Sequence, residues 1–275
     1  MRSSLRFTNK LNMISQMEND SLFQILEYDN LNGAHNVETA LGLNIMRESG
    51  VKLKQIRIVL DDSSVKIEPG ALSYMKGDIS IKNKVGGVLG LGKKLISSKL
   101  TNEKTFKPTY TGSGDIFLEP SFSNFALLEL EDDEIIVDSG LFYACESGIE
   151  VDAAIQDNVS SALLGNEGLF QTRIKGEGIV ALKVPVPETE IFKCVLVDDV
   201  LKIDGNFAIL RTGNIEFSVE KSSRSIIGSN LNGEGLVNVY RGTGEVWLVP
   251  TKKIYDELER KGIDKVVSED KYDED

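Results

Sequence analysis

Three acidic residues, Glu68, Asp138 and Asp204, stand at matching positions of the chain and are the first candidates for chemistry. If a pseudo-threefold axis relates the segments that carry them, the three carboxylates would converge, and carboxylate oxygens are ligands that a hard cation such as Ca²⁺ prefers. The alternative is that each acid caps a turn, since Gly or Asn follows closely and Asp-x-Gly is ordinary turn chemistry. We favour the turn role and keep the cation site as a hypothesis.

A glycine-rich segment, GVLGLGKK (87–94), is the second candidate because its spacing approaches that of a phosphate-binding loop. A Walker A loop ends in Ser or Thr, whose hydroxyl binds Mg²⁺, but Lys94 stands at that position. The chain also lacks the strand–helix alternation in which such a loop lies. We therefore predict a flexible loop and a short amphipathic helix over 88–100 instead of a nucleotide site. Its basic side would contact a membrane surface or a partner through Lys93, Lys94 and Lys99.

Acid–base and nucleophilic catalysis find little support in the residues present. The single histidine, His35, lies in a polar segment outside the repeats described below, where a solvated loop residue is expected. No Ser-His-Asp or Cys-His arrangement can therefore draw on a histidine of the repeats. Cys145 and Cys194 lie in apolar runs, which indicates buried, reduced thiols of a cytosolic protein, with a single disulfide between them as the alternative.

The elements that must position these residues form a threefold internal repeat. Leu60, Leu130 and Leu196 mark equivalent positions, and each is followed by an Asp pair and then by one of the three acids. Each copy closes with Gly-x-Gly, apolar alternation, Leu and Pro, in TGSGDIFLEP (111–120), KGEGIVALKVP (175–185) and RGTGEVWLVP (241–250). The features recur at intervals of about 64 to 70 residues. Recurrence of several features together indicates a true repeat.

The alternating apolar positions of each copy predict an all-β protein. The Asp pairs, which are Asp61-Asp62, Asp132-Asp133 and Asp198-Asp199, predict a hairpin turn at the start of each copy. The paired glycines predict a bulge or a close backbone approach. Aromatic residues at strand positions are expected to pack in the core, namely Phe142, Tyr143, Phe217, Tyr240 and Trp247.

The termini lie outside this pattern. We predict an atypical N-terminal segment over 1–54, with a loosely packed arm at its start and a short helix over 36–49. A faint likeness of residues 1–16 to a transit peptide is the alternative for the arm. The β domain is expected over 55–251, with repeats at about 55–120, 125–185 and 191–250, followed by a short helix and an acidic tail over 252–275.

Four segments carry a family resemblance, and they are PGALSYMKGDI (69–79), IIVDSGLFYACESGIEVD (135–152), GEGLV (233–237) and RGTGEVWL (241–248). Together they resemble the TRAP-like family tied to mitochondrial biogenesis (altered inheritance of mitochondria). The resemblance implies a TRAP-like β-sandwich or shortened double-stranded β-helix, with three internal repeats in a pseudo-threefold arrangement. It implies no catalytic residues, and it implies that mitochondrial members organise structures at the inner membrane.

Composition restricts the partners, because the 275 residues carry a net charge of −12. Such a surface repels nucleic-acid phosphates and anionic lipids. We expect a cytoplasmic, non-enzymatic interaction or scaffold protein that acts without a cofactor, near a membrane or on an unknown protein partner, with a homo-oligomer as one expected form. The alternatives are RNA binding through an attenuation-protein-like fold, and small-molecule or cation binding in a cupin-like barrel whose cavity has converging carboxylates.

Overall fold

Strands account for most of the described residues, as the apolar alternation predicts. A computed structural model describes residues 11–82, 107–154, 171–221 and 236–261. Its strands are β1 Leu11–Glu18, β2 Ser21–Tyr28, β3 Lys54–Ile67, β4 Leu72–Lys82, β5 Thr109–Leu118, β6 Asn124–Asp138, β7 Phe142–Glu146, β8 Glu150–Ala154, β9 Gln171–Val184, β10 Phe192–Ile203, β11 Ala208–Thr212, β12 Ile215–Lys221 and β13 Leu236–Leu248. The helices are α1, Val37–Glu48, and α2, Lys252–Lys261, and a 3₁₀ turn covers Glu188–Glu190. The all-β prediction is confirmed.

The chain forms two compact units that share strands β6 and β9. Unit 1 comprises Met1–Glu131, Phe142–Ile149 and Glu177–Lys183, and unit 2 comprises Asp132–Leu141, Glu150–Gly176 and Val184–Asp275. In unit 1, β2 and β3 pair, β3 also pairs with β5 and β7, and β4 pairs with β5. In unit 2, β13 pairs with β10, β11 and β12, and β11 also pairs with β6.

The core of unit 1 follows the two-residue period of its strands. In β3, Ile56, Ile58 and Leu60 are buried, whereas Arg57 and Val59 between them are partly exposed. This alternation places one face of the strand against the core. Burying each such side chain contributes about 1.5–3 kcal/mol, which makes these positions the main local determinant of the fold. A second core in unit 2 contains Leu196, Ile203, Ile215 and Val246.

The hairpins predicted at the Asp pairs are wrong, because each pair lies inside one continuous strand. In β3, Leu60 pairs with Gly114 and Ser63 pairs with Gly112, so the same partner strand continues past the irregularity. One residue of each pair is left-handed: the second in β3, with φ of 50° at Asp62, and the first in β6 and β10, with φ of 60° at Asp132 and 49° at Asp198. One left-handed residue produces a bulge that bends the strand, whereas reversing the chain requires a complete turn.

The paired glycines lie opposite these bulges and permit a close backbone approach, as predicted. Gly112 has φ of 140°, and a Cβ atom there would lie 2.0 Å from the carbonyl oxygen of Asp78. In the third copy, Gly244 pairs with Leu196 and Gly242 with Asp199, which repeats the geometry of β3 and β5. Side chains are therefore excluded at these positions by the neighbouring strand.

The N-terminal segment from residue 11 onwards is more ordered than predicted, since β1 and β2 form a hairpin in place of a loosely packed arm, and residues 1–10 of the predicted arm lie outside the described residues. Residues Ser21–Glu27 of β2 pair with Leu60–Lys54 of β3, and Phe23 is fully buried. Both predicted helices are present: α1 begins after Asn36, whose side chain accepts a hydrogen bond from the Thr39 amide, and α2 begins at Lys252. No helix within the described residues is long and apolar enough to span a membrane.

Candidate functional site

The three acids of the cation hypothesis have different surroundings. Glu68 forms an ion pair with Lys107, Asp138 is hydrogen-bonded with Gln171, and Asp204 is exposed. In the part of the chain that the structure describes, no group of three or more His, Cys, Asp or Glu side chains is arranged to hold a metal ion. The contacts of Glu68 and Asp138 agree with structural roles, and the cation site stays a prediction.

The surroundings of the other predicted site residues differ. His35 is exposed in the loop before α1, as expected. The segment 87–94, with Lys93 and Lys94, and also Lys99, lies outside the described residues, so the predicted surface contact stays a prediction. Cys145 and Cys194 are free thiols, and burial raises the pKa of Cys145 to about 12. A thiol with so high a pKa is protonated at neutral pH and unreactive.

Asp138 has the largest pKa shift among the described carboxyl groups of unit 2. Burial raises its pKa from 3.8 to about 6, and the hydrogen bond with Gln171 and the charge of Lys252 lower it by less. Burial also raises the pKa of Tyr240, and the negative charge of Asp138 raises it further. Arg211, on β11, donates from Nη1 to the carbonyl oxygen of Ile215 at 2.7 Å, and burial lowers its pKa.

The raised pKa of Asp138 makes a prediction about stability and pH. The folded state holds this proton more tightly than the unfolded state, so stability falls as pH rises from about 4 to 6 and stays reduced above that range. We expect Asp138→Asn to raise the free energy of unfolding by about 2 kcal/mol at pH 7.5 and to have little effect at pH 4. Urea titrations at the two pH values measure this difference. Asp204→Asn, at the matching exposed position, is the control, and an equal gain at both pH values would contradict the assignment.

Sequence reasoning missed Glu146, a carboxylate that is 3% exposed in the core of unit 1. Its Oε1 accepts from the Ser21 amide at 2.8 Å, and its Oε2 accepts from the Ile179 amide at 3.0 Å and from Asn19 Nδ2 at 3.1 Å. The carboxylate thereby fixes the turn of the β1–β2 hairpin to β9. A charged residue in the otherwise apolar run LFYACES was the one signal available in the sequence.

A cavity of about 290 Å³ lies in unit 1 between α1, the segment after β2 and Phe122. Asp29 is the single carboxylate among its lining residues, and its carbonyl oxygen accepts from Lys52 Nζ at 2.7 Å. This cavity therefore lacks the converging carboxylates expected of a cation-binding barrel. Helix α1 has no buried residue, and its exposed apolar side chains are Val37, Leu41 and Ile45.

The clearest departure from the repeat is at the start of β4. Residues 72–76, 142–146 and 208–212 occupy the same offset from the repeated acid, and all pair with the closing strand of their own copy with the same irregularity. All five residues of β7 are buried, and so are the first four of β11. In β4, by contrast, Tyr74 is 51% exposed and Met75 is 38% exposed.

This difference in side-chain exposure goes with a difference in pairing, because β7 and β11 each pair along their second edge with a strand of the preceding copy. The Tyr143 carbonyl accepts from the Glu68 amide, and the Ser147 amide donates to the Ser64 carbonyl, so alternate residues of β7 direct their backbone groups to β3. Strand β11 pairs with β6 in the same manner. Among the described strands, β4 pairs with β5 alone, so its other edge is open with respect to the described residues.

Strand β10 has an open edge as well. It stands at the end of the strand order, with β13 as its one neighbour among the described strands. Phe192 and Val195 are each 64% exposed, whereas Ile56, which matches Phe192 in the first copy, is fully buried beneath the β1–β2 hairpin. We call residues 72–76 the β4 edge and residues 192–203 the β10 edge.

These features define an all-β repeat protein in which β4 and β10, unlike the matching strands of the other copies, each have one partner strand within the described residues. The chain belongs to the mitochondrial biogenesis AIM24 family, whose sequence model matches residues 46–251. The resemblance of the repeat segments to the mitochondrial-biogenesis family is thereby confirmed, and the TRAP-like label stays a prediction.

Two relatives from Streptococcus pyogenes illustrate the similarity. An uncharacterized protein of the serotype M6 strain is 25% identical over 227 residues, which cover 78% of this chain and 89% of that protein. A Streptococcus pyogenes protein of known crystal structure is 22% identical with a TM-score of 0.54, covering 76% of this chain and 94% of the other. At that identity, the likeness shows a common fold.

Proposed function

We propose that this protein is a non-enzymatic interaction scaffold and that the β4 and β10 edges are its contact surfaces. The exposure of the β4 edge, where both matching strands are buried, carries the proposal. An open edge presents unpaired N–H and C=O groups that another strand can bind. At the β4 edge these groups lie beside the apolar side chains Tyr74 and Met75, which favours association.

The buried ionisable groups support this proposal because their contacts are structural. Glu146 binds two backbone amides and an asparagine, and burial makes the Cys145 thiol unreactive. Asp138 is engaged with Gln171. The description of the family refers to mitochondrial biogenesis, an assembly process to which an interaction role is suited.

Size-exclusion chromatography of extracts from the cells in which the protein naturally occurs tests the proposal. We expect the tagged full chain to elute as a complex larger than its 30.3 kDa and Met75→Pro to elute as the monomer. Met75 matches Cys145, so its N–H points away from β5, and proline at this position removes an outward donor while sparing the internal ladder.

The control is Met75→Val, which keeps the donor and an apolar side chain and should elute with the native protein. A native chain that is monomeric in the extract would contradict the scaffold proposal. A Met75→Pro variant that stays in the complex would show that the β4 edge is not the contact surface.

A further inference from the structure

We propose that the β10 edge of one molecule pairs with the β4 edge of a second molecule, so that copies of this chain join head to tail. This inference rests on the proposed function and names the occupant of its two edges. The argument is that the same joint already occurs twice inside the chain, between successive copies of the repeat. A third joint of the same form needs one strand from each open edge.

The first internal joint lies in unit 1, between β3 and β7. Val65 pairs with Glu146, Lys66 with Cys145 and Ile67 with Ala144. Two flanking backbone hydrogen bonds of 2.9 Å extend it, from the Glu68 amide to the Tyr143 carbonyl and from the Ser147 amide to the Ser64 carbonyl. Lys66 Nζ also donates to the carbonyl oxygen of Ile149, three residues beyond Glu146.

The second internal joint lies in unit 2, between β6 and β11, and repeats that register. Ile135 pairs with Thr212, Ile136 with Arg211 and Val137 with Leu210. The Gly213 amide donates to the Glu134 carbonyl at 2.7 Å, which matches the bond from Ser147 to Ser64 in the first joint. The two joints therefore share the alignment and a flanking bond while their side chains differ.

Transferring this register to the open edges fixes the expected contacts between two molecules. Leu201 would lie opposite Lys76, Lys202 opposite Met75 and Ile203 opposite Tyr74, by their positions relative to the repeated acids. The flanking bonds would run from the Asp204 amide to the Ser73 carbonyl and from the Gly77 amide to the Val200 carbonyl.

The side chains at the two edges fit this pairing. Lys202 stands where Lys66 stands in the first joint. Its ammonium group donates to exposed Glu220 at 2.8 Å within the chain, and on pairing it would exchange this partner for the Ile79 carbonyl of the second molecule, as Lys66 donates to that of Ile149. Tyr74 and Met75 would be covered, as are Ala144 and Cys145, which are fully buried at the matching positions of β7. The interface joins two different surfaces, which leaves one open edge at each end of a dimer.

Variants with one engineered cysteine, beside the buried Cys145, test the pairing directly. In a Cys194→Ser background, we compare Met75→Cys and Lys202→Cys, alone and mixed, under mild oxidation. The paired residues would have Cα atoms about 5.5 Å apart, within the range of a disulfide. We expect a covalent dimer, twice 30.3 kDa, from the mixture alone. Cysteine suits position 75 because Cys145 occupies the matching position of β7.

The matched control is Ile81→Cys, which lies on the same strand and is 42% exposed but falls beyond the expected pairing. Mixed with Lys202→Cys, it should give no dimer. Light scattering of the purified native chain is the second measurement, and we expect its mass to rise with concentration and Met75→Pro to weaken this association at least tenfold. Dimers from either variant alone, or none from the mixture, would overturn the head-to-tail pairing.

The outcomes separate this inference from the scaffold proposal. If the protein is part of a complex in extracts and Met75→Pro releases it, but the purified variants do not cross-link, another protein occupies the edge and the self-association inference is wrong. If the native chain is monomeric both in extracts and when purified, both proposals fail.

Discussion

Replacing Gly112 by alanine is expected to lower the free energy of unfolding by about 4 kcal/mol. The residue has φ of 140°, which an L side chain rarely adopts, and a Cβ atom would lie 2.0 Å from the carbonyl oxygen of Asp78 in the neighbouring strand. Because that obstacle is backbone, β4 must move away from β5 to make room. Urea denaturation followed by circular dichroism measures the loss.

The control for this substitution is Gly70→Ala in the same unit. Gly70 also has a positive φ, of 85°, but nothing lies within 4 Å of the Cβ position. We expect it to lose about 1 kcal/mol, the cost of the left-handed conformation alone. Equal losses in the two variants would show that the close approach of the strands is not what excludes a side chain at Gly112.

Replacing Glu146 by alanine is expected to cost a similar amount, about 4 kcal/mol. The substitution leaves the amides of Ser21 and Ile179 without their acceptor and opens a space beside Gly178, whose Cβ position lies 2.5 Å from Glu146 Oε2. Urea denaturation at pH 7 measures the loss, and hydrogen exchange should be faster at Ser21 and Ile179 than in the native protein.

Glu18→Ala is the control for Glu146, because Glu18 is an exposed carboxylate in the same β1–β2 hairpin. A surface substitution of this kind should change stability by less than about 0.5 kcal/mol. A loss below about 1 kcal/mol in Glu146→Ala, or unchanged exchange at Ser21, would mean that the carboxylate does not hold the hairpin in place.

Local signals in the sequence predicted local structure well. The Asn36 cap and Gly50, which has φ of 72°, mark the two ends of α1 close to where they were predicted. The aligned glycines correctly predicted the close approach of strands. The left-handed Asp residues are also aligned in the three copies. Asp adopts this conformation both in turns and in bulges, so the sequence does not show which of the two forms. A partner strand that is distant in sequence decides between them.

The features that depend on distant pairing could not be predicted. The β1–β2 hairpin is stabilised by β3, whose paired residues lie about 27 to 39 positions further along the chain. The role of Glu146 requires amides from Ser21 and Ile179, which only the folded chain brings together. The exposure of Met75 could not be predicted from its own segment either. Cys145, at the matching position, is buried beside β3, which belongs to another copy of the repeat.

The glycines opposite the bulges also explain how this fold can persist while its sequence diverges. Their requirement is the absence of a side chain, because the space of the Cβ atom is taken by backbone at Gly114, by the Glu146 carboxylate at Gly178 and by the Thr212 hydroxyl at Gly244. At one such contact, three residues as unlike as Lys76, Glu146 and Thr212 occupy the matching position of the three copies. A Streptococcus pyogenes protein that is 22% identical to this chain has the same fold. Each copy of the repeat is then free to acquire its own surface chemistry during evolution.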